Sequence, residues 1–138
     1  MDRSELKNIL PHREPMLLID EAKLASGVST AKYTVRGDEF FLQGHFPGQP
    51  VVPGVILCEM MGQSACLLIE QNGGPFTPYF AAMNNVRFKN KVGPGDTVVF
   101  KSELLKRKSV FYTVQSAGYV KDVLCVSGEL TFAVIKEG

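Results

Sequence analysis

Residues 44–69 decide the fold, and they read GHFPGQPVVPGVILCEMMGQSACLLI. Proline and glycine crowd the first part of this stretch, so regular structure before Val55 is improbable. From about residue 54 to residue 71 only Gly62 interrupts a helical pattern, and the sequence NGGP at 72–75 is a strong stop signal. We therefore predict a rigid loop followed by a helix of about 27 Å.

The predicted helix is apolar nearly all the way round, which indicates that it is buried on most sides. It is too short to span a bilayer, and it carries the polar residues Glu59 and Gln63. The pattern therefore predicts a buried helix of a soluble protein rather than a membrane segment.

Length and charge limit the classes of protein that the chain can belong to. Its 138 residues predict a single domain, residues 1–138, and a formal net charge of +1 argues against nucleic acid or an anionic membrane as the main partner. The cysteines, Cys58, Cys66 and Cys125, are odd in number, which favours reduced thiols in a cytoplasmic protein. The N-terminal residues lack the pattern of a signal peptide.

The residues before the loop predict a short helix and a hairpin. Ser4 is the expected N-cap of one or two helical turns that stop before Pro11. The apolar run 16–20 has the character of a strand, and it could pair with the alternating segment 28–35. Residues 36–43 mix charged, glycine and aromatic residues, and we predict a loop with an aromatic anchor.

The residues after the helix predict an antiparallel meander, because four segments are rich in Val, Phe, Tyr and Thr. These segments are 79–88, 97–105, 109–117 and 123–135. Turn-like joints are expected between them at 93–96, 106–108 and 118–122. One buried helix and such a sheet can cover each other's apolar surfaces only if the sheet curls round the helix, which predicts an α+β fold.

One stripe of the predicted helix is polar. At about 100° per residue, Glu59, Gln63, Cys66 and Glu70 share this stripe. A carboxylate among apolar neighbours is costly when it is buried without a partner, and burial favours the protonated form that a general acid needs. The stripe could equally be the face of the helix that meets solvent or another subunit.

Two further features of the loop could carry chemistry. His45, held between glycine and proline residues, could act as a base near neutral pH, although a histidine before Phe-Pro more often stabilises a turn. Gly54 at the helix start could present backbone N–H groups to a developing oxyanion, or could simply permit the turn. His12, beside Pro11, is expected to be structural. The sequence contains no metal-ligand spacing, phosphate loop or nucleophile elbow.

Several motifs occur together in a distinctive order. They are LPHR at 10–13, LLID at 17–20, FLQGHFPG at 41–48, PGV at 53–55 with Glu59 and Gln63, VRF at 86–88 and PGD at 94–96. This combination resembles the short (Z-type) 3-hydroxyacyl-[acyl-carrier-protein] dehydratases of bacterial type II fatty-acid synthesis. The resemblance covers nearly the whole chain and implies the hot-dog fold, an antiparallel sheet wrapped round one long central helix.

The resemblance also implies roles for individual residues. His45 and Glu59 would be the catalytic pair, contributed by two subunits across a dimer interface. The substrate-binding residues would be Gly54 as oxyanion donor, Gln63 as an orienting neighbour, Tyr79 as an aromatic gate, and the flanking Phe46 and Val55. The family needs no metal or organic cofactor.

The resemblance finally implies partners. The substrate would be a (3R)-3-hydroxyacyl chain on the phosphopantetheine arm of acyl carrier protein, and the product a trans-2-enoyl thioester. The chain would form a homodimer with shared active sites, assembled as a trimer of dimers. Candidate contacts to the acidic carrier are 106–108 (KRK) and the residues Arg87, Lys89 and Lys91, although such charged residues are ordinarily just solvated.

Two other functions remain open on the same fold. A hot-dog acyl thioesterase also uses a carboxylate on the central helix, although the His45 loop argues against it. A non-catalytic module that binds an acyl chain or its carrier protein would retain the fold and lose the chemistry.

Overall fold

The computed structural model describes residues 1–69 and 76–136. Its helices are α1 (Arg3–Leu6) and α2 (Gly54–Ala65), with 3-10 turns at Phe40–Leu42 and Cys66–Leu68. Its strands are β1 (Glu21–Ala25), β2 (Val28–Thr34), β3 (Phe76–Phe88), β4 (Thr97–Lys108), β5 (Phe111–Val120) and β6 (Val123–Lys136).

These strands form one antiparallel sheet in the order β1-β2-β4-β5-β6-β3, with β1 and β3 at its edges. Helix α2 packs against β2, β4, β5 and β6, so its apolar side chains meet those of the sheet. Met60 and Met61 are fully buried there, and each such side chain stabilises the fold by about 1.5–3 kcal/mol. The predicted α+β architecture is confirmed.

Helix α2 begins at Gly54 as predicted and ends earlier than predicted. The α-helix stops at Ala65, and one 3-10 turn, Cys66–Leu68, follows it. Near this end the Ser64 hydroxyl donates to the Met60 carbonyl at 2.7 Å, and side chains that bond the preceding turn in this way weaken the regular ladder. The expected stop at 72–75, together with Glu70, lies outside the described residues.

The predicted hairpin exists, but its first strand is β1 and not residues 16–20. Strand β1 pairs with β2 across a tight turn in which Ser26 and Gly27 have φ of 52° and 78°. Residues 17–19 are instead buried in succession, without the alternation of a half-buried strand. They form an irregular segment that enters the core beside α2.

Smaller predictions need correction at the helix cap and at the strand joints. The N-cap of α1 is Asp2, not Ser4, and it forms a capping box with Glu5. Residues 106–108 belong to β4, which turns only at Ser109. Strand β5 likewise continues to Val120, and the turn consists of Lys121 and Asp122, both with positive φ. The predicted turn at 93–96 is present.

No helix among the described residues is long and apolar enough to cross a membrane.

Candidate active site

Glu59 lies in a small cavity between α2 and the start of β3. The cavity has a volume of about 190 Å³, and the Glu59 side chain is 24% exposed. The cavity is lined by His12, Glu59, Gly62, Gln63, Cys66, Pro78, Tyr79, Phe80 and Phe132. A carboxylate is therefore presented to a space of mixed lining, with Phe80 and Phe132 among its apolar members, and of a size to admit part of a small acyl group.

Gln63, one turn further along α2, holds the Glu59 carboxylate. Its Nε2 donates to Glu59 Oε2 at 2.9 Å and to the Met16 carbonyl at 2.7 Å, and its Oε1 accepts the Leu18 N–H at 2.8 Å. Gln63 is 1% exposed, and both of its N–H donors and its amide oxygen are paired within the protein. The predicted polar stripe thus faces the cavity and the N-terminal segment.

His12 also contacts Glu59, although the sequence indicated a purely structural residue. Its Nε2 lies 3.3 Å from Glu59 Oε2, and the imidazole side chain is 19% exposed. The other ring nitrogen, Nδ1, is buried without a hydrogen-bond partner among the described residues. Only the position of His12 in the LPHR motif could have drawn attention to it, because the residue is distant from Glu59 in sequence.

His45 is half-buried in the loop that precedes α2. Its Nδ1 lies 3.1 Å from the Val51 carbonyl, and its own carbonyl accepts the Val51 N–H at 2.8 Å. The Phe46 ring stacks on the imidazole with 4.3 Å between centroids, and Phe46 remains 57% exposed. The loop therefore fixes the imidazole through one backbone contact and one ring contact.

Gly54 opens α2 beneath the ring of Phe88. A Cβ at Gly54 would lie 2.9 Å from Phe88 Cε1, so a larger residue would displace the ring. Within the described residues the N–H groups of Gly54 and Val55 donate no hydrogen bond, as expected for the first turn of a helix. They border an open groove of about 410 Å³, lined by Val52, Gly54, Leu57, Phe88, Lys89, Asn90 and Lys91, and the Val55 side chain is 75% exposed.

The predicted site residues form two groups at opposite ends of β3. Tyr79 lines the Glu59 cavity near the start of the strand, and Phe88 covers Gly54 at its end. On α2, Gly54 and Glu59 point in directions roughly 140° apart. Across residues 1–69 and 76–136, no hydrogen bond or ion pair joins His45 to Glu59. Within the described residues, the Glu59 cavity and the Gly54 groove are therefore two separate features of one copy of the chain.

The cysteines near the cavity are poor nucleophiles. Burial raises the pKa of the Cys66 thiol, and the negative charge of Glu59 raises it further. The same two causes, in the same order, raise the pKa of Cys58. Both thiols therefore stay protonated near neutral pH, which argues against thiolate chemistry beside Glu59.

An antiparallel sheet packed round one main helix is the architecture of hot-dog proteins. In agreement, the dehydratase heterocomplex ApeI:P from Xenorhabdus doucetiae superposes with a TM-score of 0.82 at 19% identity, covering 96% of this chain and 91% of that one. The predicted hot-dog fold is confirmed.

Sequence comparison narrows the class. The family model for FabA-like domains matches residues 10–129. The 3-hydroxyacyl-[acyl-carrier-protein] dehydratase FabZ of Caldicellulosiruptor saccharolyticus is 38% identical, with 96% of this chain and 98% of the relative covered. The protein of the same name from Fusobacterium nucleatum is 36% identical, with 97% of each covered. The chain belongs to the FabZ group of dehydratases within the FabA-like family.

Proposed function

We propose that this protein removes water from (3R)-3-hydroxyacyl chains carried by acyl carrier protein and releases trans-2-enoyl thioesters during fatty-acid synthesis. The observation that carries the proposal is the Glu59 carboxylate, held by Gln63 and turned into a cavity that Phe80 and Phe132 help to line. Membership of the FabZ group supports the same reaction. No metal or organic cofactor takes part in the proposed steps.

His45 is the proposed base. The carbonyl of Val51 only accepts hydrogen bonds, so the contact at 3.1 Å requires a proton on Nδ1 of His45. The Nε2 lone pair is then free to take a proton from the carbon next to the thioester carbonyl. As that proton leaves, negative charge develops on the thioester oxygen, and the free N–H of Gly54 at the helix start stabilises it.

Glu59 is the proposed acid. Protonated Glu59 gives its proton to the 3-hydroxyl group while the bond between C3 and oxygen breaks, so that water leaves. A double bond forms between C2 and C3. His45 then releases its extra proton to solvent and Glu59 takes one up from solvent, which restores both residues to their starting states. Gln63 orients the carboxyl group, and Tyr79, which is 56% exposed, gates the acyl end of the cavity.

The Glu59 cavity and the Gly54 groove meet if a second copy of the chain pairs along β3. An antiparallel alignment about Met83 and Asn84 would set Tyr79 of one copy across from the partner's Phe88, although these positions are roughly 30 Å apart along one strand. His45 and Gly54 of one subunit would then face Glu59 of the other. Support comes from the strand itself, which leaves the large apolar side chains of Tyr79, Phe80, Met83 and Phe88 exposed in one copy of the chain.

A subunit-mixing experiment tests this arrangement. The variants His45→Ala and Glu59→Gln, each expected to be inactive, are unfolded together and refolded as a mixture. In a mixed dimer one of the two shared sites regains both residues, so we expect about one quarter of wild-type activity from a random mixture. Activity is followed as hydration of a crotonyl thioester.

Several outcomes contradict the proposal. A mixture that stays inactive while each variant keeps its native circular dichroism spectrum would mean that the sites are not shared. Undiminished activity of His45→Ala alone would remove this residue from the mechanism. Release of free thiol without formation of an enoyl product would indicate a thioesterase.

We propose acyl carrier protein as the partner that delivers the substrate to the Gly54 groove. Lys89 and Lys91 line this groove, and both are exposed. The other basic cluster is less suited, because Arg107 lies over the Tyr112 ring and the cluster is at the far tip of the β4–β5 hairpin. A basic rim beside the site favours association with an acidic carrier.

Charge reversal separates the two basic clusters. We expect the double variant K89E/K91E to lower kcat/KM for carrier-bound substrate by about 10-fold, and to leave kcat/KM for a small-molecule thioester within roughly 2-fold. The matched control is K106E/K108E, which reverses the same number of charges at the hairpin tip and should leave both values unchanged. Equal losses in the two double variants would contradict the proposed carrier surface.

A further inference from the structure

The Glu59 carboxylate is held through one of its two oxygens. Gln63 Nε2 donates to Oε2 at 2.9 Å, and His12 Nε2 lies 3.3 Å from the same atom. In the described part of the chain Oε1 accepts no hydrogen bond. A carboxyl group that is fixed at Oε2 can turn only within a narrow range, so Oε1 is the oxygen that meets a ligand in the cavity.

Gln63 alone does not fix the direction of the carboxylate. Its amide orientation is forced, because the Met16 carbonyl needs a donor and the Leu18 N–H needs an acceptor. One hydrogen bond from this amide still allows the Glu59 carboxyl group to rotate about that contact. A second contact on the same oxygen, from the His12 Nε2 at 3.3 Å on another segment, narrows this freedom.

The backbone around His12 is built to hold its ring in place. The Arg13 guanidinium donates to the carbonyls of Leu10 at 2.9 Å, of His12 at 2.7 Å and of Lys7 at 3.2 Å. Leu10 is 1% exposed and anchors the segment in the core, and Pro11 restricts the backbone between them. The backbone that carries the His12 ring is therefore held in place independently of Glu59.

The His12 ring carries a cost that packing alone does not explain. When the acidic proton of Glu59 is on Oε1, Oε2 only accepts, so Nε2 must be the protonated nitrogen in this contact. Nδ1 is then a buried polar atom without a partner among the described residues, which is unfavourable in a protein interior. A leucine would fill a similar volume without that cost, so the ring is retained for its contact with Glu59.

We propose that His12 is a positioning residue, whose Nε2–H, together with the Gln63 amide, clamps Glu59 Oε2 and directs Oε1 at the substrate. The inference rests on the proposed role of Glu59 as the acid. His12 does not touch the reacting atoms in this arrangement, and it acts through the geometry of Glu59 alone. Its loss should therefore slow the chemical step and leave substrate binding largely intact.

Two substitutions of His12 distinguish positioning from packing. Leucine fills the space without a donor, whereas glutamine places an amide N–H close to the position of the imidazole Nε2. We expect His12→Leu to lower kcat by about 10–100-fold with KM within roughly 2-fold, and His12→Gln to recover most of the lost kcat. Thermal unfolding of both variants measures their stability. If His12→Leu does not fold, His12→Asn replaces it, because the shorter amide of asparagine cannot reach Oε2.

The possible results divide cleanly. Wild-type kcat in His12→Leu, or equal kcat in the glutamine variant and in the variant without a donor, would overturn the positioning role. A KM that rises while kcat is unchanged would overturn it as well. Glu59→Gln is measured in parallel: if it is inactive while His12→Leu is fully active, only the role of His12 fails, whereas full activity of Glu59→Gln means that the proposed acid itself is wrong.

Discussion

Glu39 is a buried carboxylate on which the loop before His45 depends. It is 6% exposed, and it accepts hydrogen bonds from the Tyr33 hydroxyl at 2.7 Å and from the N–H groups of Arg36 at 2.9 Å and Gly37 at 2.8 Å. Burial acts to raise the pKa of Glu39, but these donors stabilise the charged form, and the net pKa is lowered. The carboxylate thus ties β2 to the loop that leads towards the site.

Replacement of Glu39 by glutamine should destabilise the protein in a pH-dependent manner. Because the folded-state pKa lies below the ordinary value of 4.5, the stabilisation is fully present above that pH and is lost as pH falls through the folded-state pKa. We expect Glu39→Gln to reduce the free energy of unfolding by about 2 kcal/mol near neutral pH. Denaturant titrations at successive steps below pH 4.5 should show the gap closing.

Asp38 provides the control for Glu39 on the same loop. Its side chain is 79% exposed and pairs only at the surface with Arg36, so Asp38→Asn should change the free energy of unfolding by less than about 0.5 kcal/mol. A gap between wild type and Glu39→Gln that stays constant at every pH would contradict the assignment of a charged, hydrogen-bonded Glu39.

At the level of single residues, the sequence predicted part of the site. Helical spacing identified Glu59 and Gln63 as one stripe, because the geometry of a helix is known in advance. The same spacing could not reveal His12, since its approach to Glu59 depends on how the N-terminal segment is folded over α2. Residues that meet through tertiary structure leave no periodic signal in the chain.

Gly118 shows how one element can be misassigned. The sequence predicted a joint at 118–122 because glycine often marks a turn, yet Gly118 lies within β5. It is cross-strand from Phe100 and from Val126, both fully buried, and a Cβ there would lie 2.8 Å from Phe100 Cε1. Gly118 therefore leaves space for the Phe100 ring and does not form a turn.

Gly118→Ala should therefore destabilise the sheet. Overpacking of this kind costs about 1–3 kcal/mol, and we expect a loss in that range from urea-induced unfolding. The control is the same substitution in a Phe100→Leu background, where the smaller side chain leaves space and the cost of Gly118→Ala should shrink. Identical costs in both backgrounds would mean that the ring contact is not responsible.

Elements with a strong repeating pattern were predicted well. The four later strands and the start of α2 follow from β-branched residues and from proline and glycine. The sequence predicts a strand at residues 16–20, and they belong to none, because their backbone meets a side chain: Gln63 offers an acceptor to Leu18 and a donor to Met16. Amino-acid composition cannot reveal that the backbone of a segment forms its hydrogen bonds with a side chain and not with a neighbouring strand.

Taken whole, the molecule has two unlike edges. Strand β1 is short, and its one large exposed apolar residue is Leu24, whereas β3 is long and exposes Tyr79, Phe80, Met83 and Phe88. A long apolar edge strand is normally covered in a stable protein. This asymmetry favours β3 as the edge where copies of the chain pair.

Met83→Glu should weaken this association. Met83 lies near the symmetry axis of the proposed β3 pairing, so the two introduced carboxylates would repel each other. We expect the dimer to dissociate at a higher protein concentration than the wild type does, with a parallel loss of activity. Leu24→Glu is the matched control, since it places the same charge on the other edge and should leave the mass from sedimentation unchanged. Unaltered assembly of Met83→Glu would exclude β3 as the interface.

The amide of Gln63 has a consequence for any effort to redesign this protein. The same side chain acts as a neighbouring strand for residues 16–18 and as the holder of the Glu59 carboxylate. A variant library must keep this amide if the variants are to fold, and any change to Glu59, the proposed acid, also changes what this amide binds. Substitutions of Gln63 are therefore expected to change the yield of folded protein and the turnover number together. Selection for one of these properties will also select for the other.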